Sequence, residues 1–292
     1  MLCMPNELTL EITNICPLHC KMCSSEAVSD FADIAVYWAQ ETVKDYVKKY
    51  TDFEIIRLSG GEPFRHPELQ GIVELIKAEN RQVVILTSGN YKDHEPLPMK
   101  ELQLSRPNID ELVFSLHGTW DLHDCITTST ENPQDVFDQQ PIINMLESVK
   151  RARNLQYNYS FHTCVLKENY DDLENIIKII NEHCGANYQK TRLHLLKPVY
   201  QGRARDLEKL SKEDWDKIPE IARELGQKYN VEITHTGDHG CSAYPNCTNQ
   251  KAAVTWYGKE IGCSALKEKY FRGKVPCTQP RQVKLGEGLR NG

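Results

Sequence analysis

Cys16, Cys20 and Cys23 form a Cys-x3-Cys-x2-Cys run directly after the alternating segment Leu8-Thr9-Leu10-Glu11-Ile12-Thr13. Three thiols on so short a loop, with no fourth cysteine nearby, suit an iron–sulfur cube that keeps one iron open for another ligand. A closed structural site normally has four protein ligands. Zinc is the alternative, with His19 or a distant side chain completing the set, although zinc pairs usually come as Cys-x2-Cys twice. Thirty-seven residues past Cys23, the run Ile55-Ile56-Arg57-Leu58-Ser59 ends in Gly60-Gly61-Glu62-Pro63. This reads first as a plain turn. Glycines also let backbone groups approach a ligand closely, and Glu62 adds a carboxylate to the same turn. A second cysteine group, Cys241, Cys247, Cys263 and Cys277, lies past residue 236, where Gly, Pro, Asn and Lys replace the earlier pattern. There Ala252-Val254-Trp256 and Glu260-Ile261 flank Tyr257-Gly258-Lys259, a hairpin signal that brings Cys247 and Cys263 to one end. Cys241 and Cys277 would complete a four-sulfur site, with a zinc knuckle as the alternative.

The elements that must position these groups are legible in the hydrophobic pattern. Strand-like runs fall at 8–13, 54–59, 82–87, 111–117, 158–166, 191–197 and, more weakly, 231–235. Between them, 35–50, 67–77, 141–153, 171–184 and 214–229 carry apolar residues at a period of 3.6. Repeated strand–helix alternation predicts an α/β fold of parallel strands with right-handed crossovers, and six units fall short of the eight in a closed barrel. Period two along the strands places Leu8, Leu10, Ile12, Leu112, Phe114, Phe161, Leu193 and Leu195 toward the helices. It leaves Thr9, Glu11, Thr13, Ser115, His117, Ser160, His162, Cys164, Arg192 and His194 facing inward. Unpaired buried polar groups are costly, so such a lining fits a cavity for a polar ligand better than a dry core. Cys16, Gly60, Thr87-Ser88-Gly89-Asn90 and His117-Gly118 all follow the C-terminal ends of strands, where parallel α/β folds carry their sites.

Bulk properties narrow the partners. A net charge of −6 gives no reason to expect nucleic acid or an anionic membrane as the main partner. The N-terminus lacks a basic and an apolar region of the secretory kind, and no apolar stretch approaches the ~20 residues of a membrane helix. Eleven cysteines would read as a disulfide framework in an oxidising compartment; in a reducing cytoplasm the seven clustered at the two ends read better as cluster or zinc ligands. Cys3, Cys125, Cys164 and Cys184 stand apart as inert thiols.

The cysteine triplet and the Gly-Gly-Glu-Pro after the second strand together resemble the radical S-adenosylmethionine (SAM) superfamily. The resemblance implies a partial (β/α)6 barrel over 1–236. It implies a [4Fe–4S] cluster on Cys16, Cys20 and Cys23 whose open iron binds SAM, and it places Gly60, Gly61, Glu62 and Pro63 around the amino group of SAM. Met22 stands where the family usually has an aromatic residue, against adenine. Ser88 and Asn90 lie in the counterpart of a Thr-Asn-Gly segment, and Ser115 is the candidate for the ribose. Cys247, Gly258 and Cys263 are similar to the Cys-x(9–15)-Gly-x4-Cys element of twitch/SPASM modules, which implies one auxiliary [4Fe–4S] cluster in 237–292, completed by Cys241 and Cys277. His117, His162, Cys164, Arg192, His194 and Arg203 are left as substrate or catalytic candidates. His117 and Arg203 equally suit structural and solvated roles.

The activity so implied is reductive cleavage of SAM to a 5′-deoxyadenosyl radical that removes hydrogen from a substrate, with an electron donor such as flavodoxin or ferredoxin. Two substrate classes fit: a ribosomally made peptide undergoing oxidative maturation, or a small polar metabolite such as a sugar, cyclitol or nucleotide acted on by a dehydrogenase or cyclase. A non-catalytic iron–sulfur or zinc protein is the reading from a different class.

Overall fold

The computed structural model describes residues 7–28, 33–92, 95–128, 140–184, 191–236 and 251–261. Strands and helices alternate through β1 (Glu7–Thr13), α1 (Gln40–Lys49), β2 (Ile55–Gly60), α2 (Leu69–Ala78), β3 (Gln82–Thr87), α3 (Met99–Ser105) and β4 (Glu111–Ser115). They continue through α4 (Trp120–Thr128), α5 (Pro141–Asn154), β5 (Tyr159–Cys164), α6 (Leu173–Cys184), β6 (Arg192–Leu196), α7 (Lys212–Tyr229) and β7 (Glu232–His235). A hairpin of β8 (Lys251–Val254) and β9 (Glu260–Ile261) follows. One sheet holds all nine strands in the order β7-β6-β5-β4-β3-β2-β1-β8-β9. Every neighbouring pair is parallel except β8 with β9. The predicted hairpin therefore forms, and it extends the barrel's own sheet along β1.

The seven strand runs read from the sequence all form, with ends within two residues of those expected. Helix 35–50 does not start where its periodicity suggests. Asn14 Oδ1 accepts Val36 N–H at 2.7 Å, Thr13 Oγ donates to Val36 carbonyl at 2.8 Å and Tyr37 bridges to Thr13, so 36–38 is extended and α1 begins at Gln40. Two helices escape the pattern. α3 is only seven residues long, and the buried face of α4 is largely polar, with His123, Asp124, Thr127 and Thr128.

Side chains of one parity, Leu8, Leu10, Leu58, Ile85, Leu112, Phe114, Phe161 and Leu193, pack with Val43, Ile72, Ile76, Val149 and Ile180 of the helices into one core. The other face lines the concave side. Arg57 Nη2 of β2 lies 3.5 Å from His162 Nε2 of β5, although β3 and β4 stand between the two strands. Strands about 4.8 Å apart would leave these chains ~14 Å from each other on a flat sheet; their side-chain contact reflects a sheet curled as a partial barrel.

Candidate active site

The loop after β1 is fixed at both ends and in the middle. Cys16 N–H donates to Val28 carbonyl at 2.9 Å and Val28 N–H to Asn14 carbonyl at 2.8 Å, pairing the loop's start with its finish. His19 and Lys21 N–H donate to the carbonyls of Thr127 (3.0 Å) and Ile126 (2.9 Å), two of the carbonyls that the last turn of α4 leaves without helical partners. From the loop after β6, Arg203 reaches across: Nε donates to Cys20 carbonyl at 2.9 Å, Nη1 to Ala27 carbonyl at 2.7 Å, and its backbone N–H to Cys23 carbonyl at 3.1 Å. Its neighbour Gly202 has φ +59°, and a Cβ there would lie 2.6 Å from Cys23 carbonyl oxygen, so only glycine allows this approach.

The sulfurs fit the donor set of a cluster. Leu18 N–H points at Cys16 Sγ and Ala27 N–H at Cys23 Sγ, each at 3.4 Å, the charge-stabilising contact that a thiolate ligand receives. Burial, and then the neighbouring Cys20, push the Cys16 thiol well up; burial and Cys23 push Cys20 up to about 12, opposed by Arg203. Such thiols keep their protons in the metal-free chain and release them on binding a metal. Among the described residues no three His, Cys, Asp or Glu side chains converge on a single metal-ion position. Met22 lies half-buried on the same loop.

The Gly-Gly-Glu-Pro turn lies directly against this loop's root. Gly61 and Glu62 N–H donate to the carbonyls of Thr13 and Ile15, both at 2.7 Å. Gly60 has φ +123°, and a Cβ on Gly61 would sit 2.0 Å from Ile15 oxygen. Glu62 is fully buried and caps the short turn Pro63–Arg65. One carboxylate oxygen accepts from Thr87 Oγ (2.8 Å) and Phe64 N–H (3.2 Å), the other from Ser88 N–H (2.8 Å) and Ser88 Oγ (2.7 Å). Burial raises its pKa to about 7, against the pull of those hydrogen bonds. Glu62 thus locks the turn after β2 to the end of β3. Asn90 donates to the carbonyls of Ser88 and Pro141, both at 3.1 Å, and its buried Oδ1 has no partner among the described residues.

The ends of β4 and β5 are tied in the same way. Cys164 N–H donates to His117 Nδ1 at 3.1 Å, and burial lowers His117 to about 4, so the ring is neutral with its proton on Nε2. His123, stacked on it at 5.9 Å, accepts His117 N–H through Nδ1 at 3.0 Å. Asn169 joins both loops by donating to the carbonyls of His117 (2.6 Å) and Cys164 (2.9 Å). Burial raises the Cys164 thiol to about 12, and Cys164 is near enough to Cys20 to act on it electrostatically.

Ser115 closes β4 in register with His162, and His162 with His194, whose rings are 5.5 Å apart. Deeper in the lumen, Arg192 Nη2 pairs with Glu111 at 3.0 Å, Ser160 Oγ donates to the same carboxylate, and Arg57 pairs with Glu7 at 3.2 Å. The fold therefore gathers Cys16, Cys20, Cys23, Gly60 to Pro63, Ser88, Cys164 and Arg203 at one mouth, with His162, His194 and Arg192 below it. Cys241, Cys247, Cys263 and Cys277 lie outside the described residues. Sequence reading overlooked His123 and gave Asn169 no role of its own; the bonds of both here are with backbone groups, and it left open the use to which Arg203 is put.

Residues 10–180, more than half of the chain, match the family model described as Radical SAM superfamily. The AdoMet-dependent heme synthase of Methanosarcina barkeri (strain Fusaro / DSM 804) is 21% identical over 240 residues, covering 80% of this chain and 62% of that protein. The GTP 3′,8-cyclase of Aquifex aeolicus (strain VF5) is 25% identical over 170 residues, 56% of this chain and 49% of the cyclase. The chain thus spans about half to three fifths of the length of these two curated relatives. In fold it is similar to Streptococcus suis SuiB bound to S-adenosylmethionine, with TM-score 0.69, 13% identity and coverage of 94% of this chain and 63% of that one. It is also similar to anSMEcpe with bound AdoMet, with TM-score 0.61, 15% identity and coverage of 89% and 75%. No described helix is long and apolar enough to cross a membrane. A family match of this extent, on a chain whose cysteine loop and glycine turn meet at the strand ends, makes it a member of the radical SAM superfamily of enzymes.

Proposed function

We propose that this chain is a cytoplasmic enzyme that binds a [4Fe–4S] cluster through Cys16, Cys20 and Cys23 and uses it to cleave SAM reductively for the oxidative modification of a substrate held in the lumen. The observation that carries this reading is the meeting of three free thiols and the Gly60–Pro63 turn within one hydrogen-bonded unit at the mouth of the barrel. When bound, cluster and SAM supply a 5′-deoxyadenosyl radical that takes a hydrogen atom from the substrate. The chain's own contribution is orientation and exclusion of water. Arg203 and α4 hold the loop that carries the thiols, the Gly60–Gly61 backbone packs against β1 and so sets the turn beside that loop, Asn90 Oδ1 would accept a donor from the bound nucleotide, and Ser115 would face the ribose.

For the remainder, 237–292 forms an auxiliary module in which Cys241, Cys247, Cys263 and Cys277 hold a second [4Fe–4S] cluster, and a flavodoxin or ferredoxin supplies electrons. The substrate is a peptide or a small polar metabolite. The fold likeness to SuiB, solved with its precursor peptide SuiA, supports the first; the relatives named for GTP and heme, with the His, Ser and Arg lining of the lumen, support the second. A precursor-peptide gene beside this one favours the peptide, and sugar or nucleoside genes favour the metabolite. Anaerobically reconstituted protein with dithionite and SAM is expected to release 5′-deoxyadenosine, and Cys20→Ala to abolish it. Absence of the product from the reconstituted wild type overturns the proposal and leaves a non-catalytic metal protein.

A further inference from the structure

The hairpin of β8 and β9 touches the cysteine loop through Trp256. Each polar group of this residue is taken by a different segment. Its indole N–H donates to Ser25 carbonyl at 3.0 Å, its backbone N–H to Glu11 Oε2 at 3.2 Å, and its carbonyl accepts from Trp38 Nε1 at 2.7 Å. The ring closes on itself, because the other oxygen of Glu11 accepts Ser25 Oγ at 2.8 Å. Glu11 is 6% exposed, so its charge is held in place by these donors instead of by water. Ser25 stands two residues past Cys23, and the next amide but one, Ala27 N–H, is the donor to Cys23 Sγ. The hairpin is also anchored by the pairing of β8 with β1, by Tyr46 Oη, which donates to Gly258 carbonyl at 3.3 Å, and by Lys49 and Tyr50 at the end of α1, which bind Glu260 at 2.6 and 2.7 Å; these contacts do not involve the cysteine loop.

We infer that Trp256 is a positioning residue for the N-terminal cysteine loop, so that seating of the C-terminal hairpin and the placement of the Cys23 sulfur are coupled. Arg203 and Gly202 brace the loop from the β6 side; Trp256, with Glu11, braces it from the opposite margin of the sheet. The functional consequence rests on the proposed role of Cys23, but the bracing is a property of the metal-free chain and is tested there.

Full-length protein is compared with Trp256→Phe, which keeps an aromatic body and loses the indole donor, and with Lys49→Ala, which loosens the hairpin elsewhere. Amide exchange of the metal-free chains is the first readout, and iron retained against a chelator after reconstitution the second. Trp256→Phe is expected to speed exchange of the 24–28 amides roughly fivefold, the worth of one lost hydrogen bond, with the strands unchanged and iron lost faster. Lys49→Ala leaves both readouts at wild-type values. If Trp256→Phe fails to fold, Glu11→Gln replaces it, with the same loop-limited rise expected. Unchanged exchange at 24–28, or a rise spread evenly over the sheet, overturns the inference. A wild type that takes up no cluster, yet shows the loop-limited rise in the variant, overturns the cluster assignment alone.

Discussion

At the scale of single residues, Glu62 is the clearest case of a motif residue whose side chain serves the fold. A carboxylate with no exposure is tolerable because Phe64, Thr87 and Ser88 direct four donors at it. Glu62→Ala leaves those buried donors without their acceptor and is expected to cost about 2–4 kcal/mol, read from the urea midpoint, with Glu62→Gln recovering part. His117 supplies a pH dependence. Its folded pKa of about 4 lies below the ordinary 6.5 because burial disfavours the charged ring, and His123 is shifted the same way. Between those values the unfolded chain binds a proton that the folded chain does not, so stability is complete above about 6.5 and falls as pH drops through 4. For His117 alone the loss is up to about 3 kcal/mol, and the gap between urea midpoints at pH 7 and pH 5 should narrow in His117→Gln, while His123 and His66, whose pKa values burial also lowers, keep the rest of it.

At the scale of elements, the strands were legible and the braces were not. Alternation such as Leu8, Leu10 and Ile12 against Thr9, Glu11 and Thr13 announces β1 because burial on one face alone imposes period two. α4 gave no such signal: His123 and Asp124 satisfy its buried face through bonds to His117 and Ile142 backbone N–H groups, and polar burial has no hydropathic signature. The triplet and the glycine turn were readable as short local motifs. The bracing by Arg203 was not, because its acceptors are main-chain carbonyls, which every residue type offers equally. Arg203→Lys keeps the charge but loses the planar fork that reaches Cys20 and Ala27 together. Iron per chain after reconstitution is expected to fall by about half or more, and Gly202→Ala, strained at positive φ, to do the same.

At the scale of the whole molecule, curvature joins groups that the sheet order separates. The Glu7–Arg57 pair with His162 ties β1, β2 and β5 across the lumen. Arg57→Met takes the guanidinium away from Glu7 and His162 and is expected to destabilise by roughly 1–3 kcal/mol, and a denaturation cycle with Glu7→Gln measures the share that belongs to the pair. The loop's two clamps carry a consequence in time. They join positions 183 and 231 residues apart, Arg203 to Cys20 and Trp256 to Ser25. Synthesis delivers the thiols first and their supports last, so a growing chain offers unrestrained sulfur to oxygen before it offers a shaped receptacle to iron. On the proposed cluster assignment, metal delivery waits for the finished barrel, and a ribosome-tethered N-terminal fragment should capture iron poorly.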